Sequence, residues 1–134
     1  MASRPAAVPV VGAALAAVVF NGCGDDAEAE LARGEQLYEM HCVACHGGAT
    51  GGHIADIPPR HNAEGHTWHH TDCDLVDIVL TGMPQREGVP EMPAFGDRLT
   101  EDDVEAILAS IQTWWEPDQR AFQAEVTEQL CDDE

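Results

Sequence analysis

Apolar residues recur at helical spacing in separate stretches of the chain. From Glu30 onward, Leu31, Gly34, Tyr38, Cys42 and Cys45 fall three and four apart and make one stripe. Glycine costs helix propensity, so Gly34 in that stripe is expected to permit close approach of another helix. A short helix is predicted from Thr71-Asp72-Cys73-Asp74, with Thr71 as N-cap and acids in the first turn. Leu75, Ile78 and Val79 form its apolar side, and Gly82 ends it. The clearest period belongs to Val104, Ile107, Leu108, Ile111, Trp114 and Trp115. Thr100 and Asp103 form a capping-box pair before it, Leu99 and Val104 a hydrophobic staple, and Glu116-Pro117 stops it. Phe122, Val126 and Leu130 predict a weaker last helix or an ordered tail.

Two irregular stretches separate these elements. Residues 47–62 are rich in glycine and contain Pro58-Pro59. Residues 83–98 have no period but carry two Met-Pro pairs, Met83-Pro84 and Met92-Pro93. Proline disfavours helix at the residue before it and stiffens the loop. A thioether held toward a fixed point needs that rigidity.

The N-terminus has a different character. Residues 1–22 read as an export signal: Arg4 is the only charge, and an Ala/Val-rich run from Ala6 to Phe20 is too short for a membrane span. The run ends in Phe20-Asn21-Gly22-Cys23, which resembles a bacterial lipoprotein cleavage box with Cys23 as the lipidated residue. An uncleaved anchor and ordinary cleavage nearby are the other readings. Residues 23–29 are then a small acidic tether, 30–116 the domain, and 117–134 an acidic C-terminal tail, partly helical.

Composition narrows the function. The 134 residues allow one small domain, and only 5% are aromatic, so the core is thin unless a cofactor supplies apolar surface. The formal charge is −19, and loss of the signal with Arg4 makes it one unit more negative. There is no lysine; all six basic residues are arginines. Such a surface excludes nucleic acid as a partner and steers toward a basic docking patch. Adaptation to salt or simple solubility would give the same composition.

The chemistry centres on Cys42-Val43-Ala44-Cys45-His46, the haem c attachment pattern. Three-residue spacing puts both sulfurs on one helical face, where they can form thioethers with the vinyl groups of one haem edge. His46 follows directly and is placed to be the proximal ligand. A zinc site would want a second Cys/His pair, and a redox pair would want a βαβ setting; the sequence offers neither. Pro58 is the candidate for holding a backbone carbonyl against the other nitrogen of His46. The five cysteines divide accordingly: Cys23 for lipid, Cys42 and Cys45 for haem, leaving Cys73 and Cys131. Outside the cytoplasm these two could pair as a disulfide, or remain separate thiols. His61, His66, His69 and His70 cluster around Trp68 and admit a copper site, a histidine sixth ligand, hydrogen bonds to the haem propionates, or a solvent-facing run.

Taken with the Met92–Gly96 stretch MPAFG and the helix TEDDVEAILASIQTWW, the CVACHGG segment resembles a small class I bacterial c-type cytochrome. The likeness covers roughly Glu28 to Trp115. It implies an all-α, cytochrome c-like haem domain whose first and last helices cross, with Gly34 facing the Ile107–Ile111 stripe. It implies one covalently attached haem c held by Cys42 and Cys45, with His46 and Met92 as axial iron ligands and Met83 as the competitor to Met92. Trp68, in a run that looks like a feature of some small monohaem cytochromes, is a candidate cofactor contact. Ser110 stands where such proteins often carry an aromatic, so helix packing is expected to lean on Trp114.

The expected function is single-electron transfer between exported or membrane-bound redox partners, without a small-molecule substrate or catalytic residues. The protein would be periplasmic or otherwise extracytoplasmic, anchored to a membrane through Cys23. The alternatives are a haem-based sensor with an open distal site, a copper-binding module using His66, His69 and His70, and a haem subunit of a larger oxidoreductase.

Overall fold

A computed structural model describes residues 24–50 and 57–131. The expected export signal and Cys23 lie outside the described residues. In chain order the helices are α1 (Gly24–His41), α2 (Val43–His46), a 3-10 turn (Thr67–His69), α3 (Asp72–Thr81), α4 (Glu101–Gln112) and α5 (Pro117–Cys131). The only β pairing among the described residues consists of isolated bridges, so the fold is all-α. No helix among them is long and apolar enough to cross a membrane.

Helix α4 is the spine. Thr100 accepts from the Asp103 backbone N–H while the Asp103 carboxylate accepts from that of Thr100, a reciprocal cap on two otherwise unpaired donors. Val104, Ala106, Ile107, Leu108, Ser110 and Ile111 are buried, joined in the core by Tyr38, Leu75, Leu99 and Trp115.

Helix α1 crosses α4 at Gly34. A β-carbon there would lie 1.9 Å from the Ala106 carbonyl oxygen and 3.1 Å from Cβ of Ser110. The crossing therefore requires two small residues face to face, and Ser110 cannot be an aromatic in this packing. Its hydroxyl donates to the Ile107 carbonyl at 2.7 Å, so burial leaves no unmet polar atom there. The aromatic contact moves along the helices instead, where Tyr38 meets Trp114 edge-on with centroids 5.0 Å apart.

Two boundaries differ from expectation. Helix α1 starts at Gly24 rather than near Glu30, so the described part of the expected tether is helical. Acidic residues early in a helix suit its positive end, which favours this extension. The C-terminal stretch is a full helix pinned to the domain. Thr127 accepts from the Asp72 backbone N–H at 3.0 Å, Gln119 donates to the Ala63 carbonyl at 2.9 Å, and Phe122 meets Trp68 and His69 edge-on. These contacts involve polar groups spread around α5, which is why its apolar period is weak in the sequence.

Candidate haem-binding site

The Cys-x-x-Cys-His segment occupies a single turn. The Cys42 N–H donates to Tyr38 at the end of α1, and the N–H groups of Cys45 and His46 both donate to the Cys42 carbonyl, at 3.1 and 3.0 Å. Cys42 and Cys45 are unbridged thiols, Cys45 at the surface and Cys42 half-buried. Burial, then the neighbouring Cys45, pushes the Cys42 thiol up to about 11. The shift keeps Cys42 a thiol, not the thiolate that attacks in disulfide exchange. Gly47 ends the turn at φ 75°, a conformation that favours glycine, and its carbonyl accepts the Tyr38 hydroxyl at 2.7 Å.

His46 is buried, and its Nδ1–H donates to the Pro59 carbonyl at 2.7 Å. That bond fixes the tautomer with the lone pair on Nε2, the arrangement an iron ligand requires. The acceptor is Pro59, not Pro58. The Ile57–Pro58 peptide is cis, and it is the second carbonyl of the Pro-Pro pair that reaches the imidazole. The sequence shows a rigid acceptor but not which of two adjacent prolines supplies it.

His61 stacks on His46, with ring centroids 4.2 Å apart and planes inclined by 27°. Its Nδ1 pairs with Thr67 Oγ1 at 2.8 Å, and its backbone carbonyl accepts the Trp115 indole N–H at 2.7 Å. Burial, followed by the proximity of His46 and His66, pushes His61 down to about 3, so it is neutral at ordinary pH. Neither Thr67 nor the role of His61 was visible in the sequence, because both depend on how the loop folds back on α2.

The methionine loop is built on the end of α3. The N–H groups of Phe95 and Gly96 donate to Val79 and Leu80 at 3.0 Å each, satisfying terminal carbonyls that a helix leaves open. Met83 and Met92 pair backbone to backbone. Gly82, at φ +77°, lets Met92 and Ala94 come close; a β-carbon would lie 2.7 Å from the Met92 oxygen. Arg98 lies over the Phe95 ring at 4.5 Å and donates to the Ala94 carbonyl.

The structure also places Trp68 and the histidine run. Trp68 gives its indole N–H to the Gly65 carbonyl at 2.9 Å and packs against His69 and Phe122, so its polar handle is committed to its own turn and its ring to α5. His66, His69 and His70 do not converge. The rings of His66 and His70 face each other at 5.7 Å, while His69 turns toward Trp68 and Phe122. Among the described residues no three His, Cys, Asp or Glu side chains form a metal cluster. Cys73 and Cys131 are in disulfide geometry, with Cα atoms 5.9 Å apart, tying α5 to the start of α3.

The donor set fits haem c: two thiols on one turn and an imidazole of fixed tautomer directly behind them. Residues 29–110 match the family described as cytochrome c oxidase, cbb3-type, subunit III. Cytochrome c6 of Cyanidioschyzon merolae is 32% identical over 91 residues, covering 65% of this chain and 81% of that protein. Cytochrome c6 of Pyropia tenera is 30% identical over 77 residues, covering 58% of this chain and 84% of that protein. No solved structure matches the chain. With the family matched across most of the helical domain, the chain belongs to this family of small class I c-type cytochromes and carries covalently attached haem c.

Proposed function

We propose that the protein is a monohaem shuttle, moving single electrons between exported redox proteins, with Cys42 and Cys45 as the thioether links and His46 and Met92 as the axial ligands. The observation that carries this reading is the 2.7 Å bond from His46 Nδ1 to Pro59, which presets Nε2 for iron. When bound, haem c supplies a one-electron ferric/ferrous couple, and a thioether ligand raises its potential. The chain's own part is to hold two ligands so that neither iron position is left for substrate. The α3 end and the Met83–Met92 backbone pair restrain one side, and the Pro59 carbonyl restrains the other. The acidic surface suits a partner with a basic docking patch, with association weakening as salt rises. Lipidation at Cys23 would keep the shuttle at an extracytoplasmic membrane face, and the Cys73–Cys131 bridge is consistent with an oxidising compartment.

A second reading is favoured by the family match itself: the domain works as a haem subunit inside a larger oxidoreductase. Absorption spectra of oxidised and reduced protein, for wild type and Met92→Ala, test the ligand set. A methionine–ferric charge-transfer band lost in the variant supports the shuttle. A wild type without that band, taking up carbon monoxide when reduced, has an open distal position and sinks it. Gentle detergent extraction then separates a lone carrier from a subunit, by whether the haem peak runs at the monomer's size or with a complex.

A further inference from the structure

We propose that His61 is a positioning residue for the proximal ligand: its stacked ring sets the rotational orientation of the His46 imidazole. This rests on the reading of His46 as that ligand.

The hydrogen bond from Nδ1 to Pro59 fixes where that nitrogen points, but such a bond by itself does not set rocking of the ring about the N–H···O axis. A flat ring against one face removes that freedom, because rocking drives atoms inside van der Waals distance. The His61 ring, 4.2 Å away and nearly parallel, is such a face.

A brace must itself be held, and His61 is held from several directions. Its Nδ1–H meets Thr67 Oγ1 at 2.8 Å, and that hydroxyl in turn reaches the Arg60 carbonyl at 3.4 Å. Thr67 is only 3% exposed, so water competes little for these bonds. The His61 carbonyl is fixed by Trp115 beyond the end of α4, and Tyr38 of α1 stands edge-on to the ring at 6.0 Å. Helix α1, the turn after α4 and the 3-10 turn thus converge on His61, whose ring lies against that of His46. A histidine that merely filled core volume would not need its ring stacked on the face of another imidazole.

In a low-spin ferric haem, the plane of an axial imidazole determines how unpaired electron density is distributed over the macrocycle. That distribution is read directly in the paramagnetic proton shifts of the haem methyl groups. The test is therefore the methyl-shift pattern of haem-loaded ferric protein, with the reduction potential measured alongside. His61→Leu keeps apolar bulk but removes the flat face, and is expected to shift the pattern and the potential. His61→Phe restores a flat ring and is expected to return both toward wild type. Thr67→Val keeps the ring but removes its anchor, and is expected to move the pattern in the same sense as leucine.

A wild-type pattern in His61→Leu overturns the proposal, as does a phenylalanine variant displaced as far as the leucine one. Should leucine prevent folding, the Phe and Thr67→Val pair decides by the same criteria. His46→Gly separates this result from the ligand assignment. If that variant retains the wild-type low-spin spectrum, the assignment of His46 fails. If it loses that spectrum while every His61 and Thr67 variant keeps the wild-type pattern, only the brace fails.

Discussion

Met83 and Met92 exchange both backbone hydrogen bonds, N–H to carbonyl at 2.9 Å one way and 3.0 Å the other. Directly opposed residues of an antiparallel pair project their side chains to the same side. The two Met-Pro units are therefore a matched pair, and Met83 holds the backbone from which Met92 extends.

Replacing either methionine tests this division of roles. Met92→Ala is expected to abolish the methionine–iron charge-transfer band and lower the reduction potential, since a thioether ligand raises it. Met83→Ala keeps its backbone bonds and is expected to retain the band. A band lost with Met83 and kept without Met92 would exchange the assignments. Absorption spectroscopy and potentiometry on the two variants check this.

Gly34→Ala sets two opposing effects against each other. Alanine gains up to about 1 kcal/mol of helix propensity over glycine. The new β-carbon would, however, lie 1.9 Å from the Ala106 carbonyl oxygen, and backbone cannot swing aside as a side chain can. Overpacking of this kind costs roughly 1–3 kcal/mol, so net destabilisation is expected. Denaturant unfolding would show a lower midpoint, and a midpoint equal to wild type would mean the helices separate at no cost.

Reduction of the Cys73–Cys131 bridge should loosen α5. The cysteines are 58 residues apart in sequence, and bridges typically contribute about 2–4 kcal/mol. Cys131→Ser is expected to lower the melting temperature while leaving the haem spectrum intact, because Thr127, Gln119 and Phe122 keep α5 in contact. Mass analysis without reductant should find the two cysteines linked. Two free thiols in exported protein would remove the bridge from the account.

Asp103 gives a pH dependence of known sign. The Thr100 backbone N–H, then the Thr100 hydroxyl, hold its carboxyl below the usual value of 3.8, with Arg33 adding to them at 2.8 Å. A folded-state value below the unfolded one stabilises the fold above the unfolded value. That contribution is lost as pH falls through the folded one. Asp103→Asn is expected to flatten this part of the acid unfolding curve below about pH 4. Thr100→Ala should remove the cap, at about 0.5–2 kcal/mol near neutral pH. Stability measured by denaturant at several pH values checks both.

Local spacing and end chemistry determined much of this protein in sequence alone. The three-residue gap between Cys42 and Cys45 is one helical turn, so the thiols share a face in any helix that contains them. Thr71, Thr100 and Asp103 define helix starts through bonds that span three residues, and the Val104–Trp115 period needs only the 3.6-residue repeat to identify a buried face. The missing β-carbon at Gly34 likewise announced a close helix crossing.

What only the tertiary structure decided involves atoms far apart in the chain or choices between adjacent equals. Pro58 and Pro59 are indistinguishable as acceptors until the loop path puts one carbonyl beside His46. The histidine run admits a metal site among other readings because spacing says nothing of direction; in the folded chain His66 and His70 face each other while His69 faces Trp68 and Phe122. Trp68 went to α5 for the same reason. The proposed brace at His61 exists only because Thr67, Trp115 and Tyr38, from three distant parts of the chain, meet around it. Short-range hydrogen bonds and helical periodicity are written in neighbouring residues, whereas the setting of His46 is a convergence of distant ones.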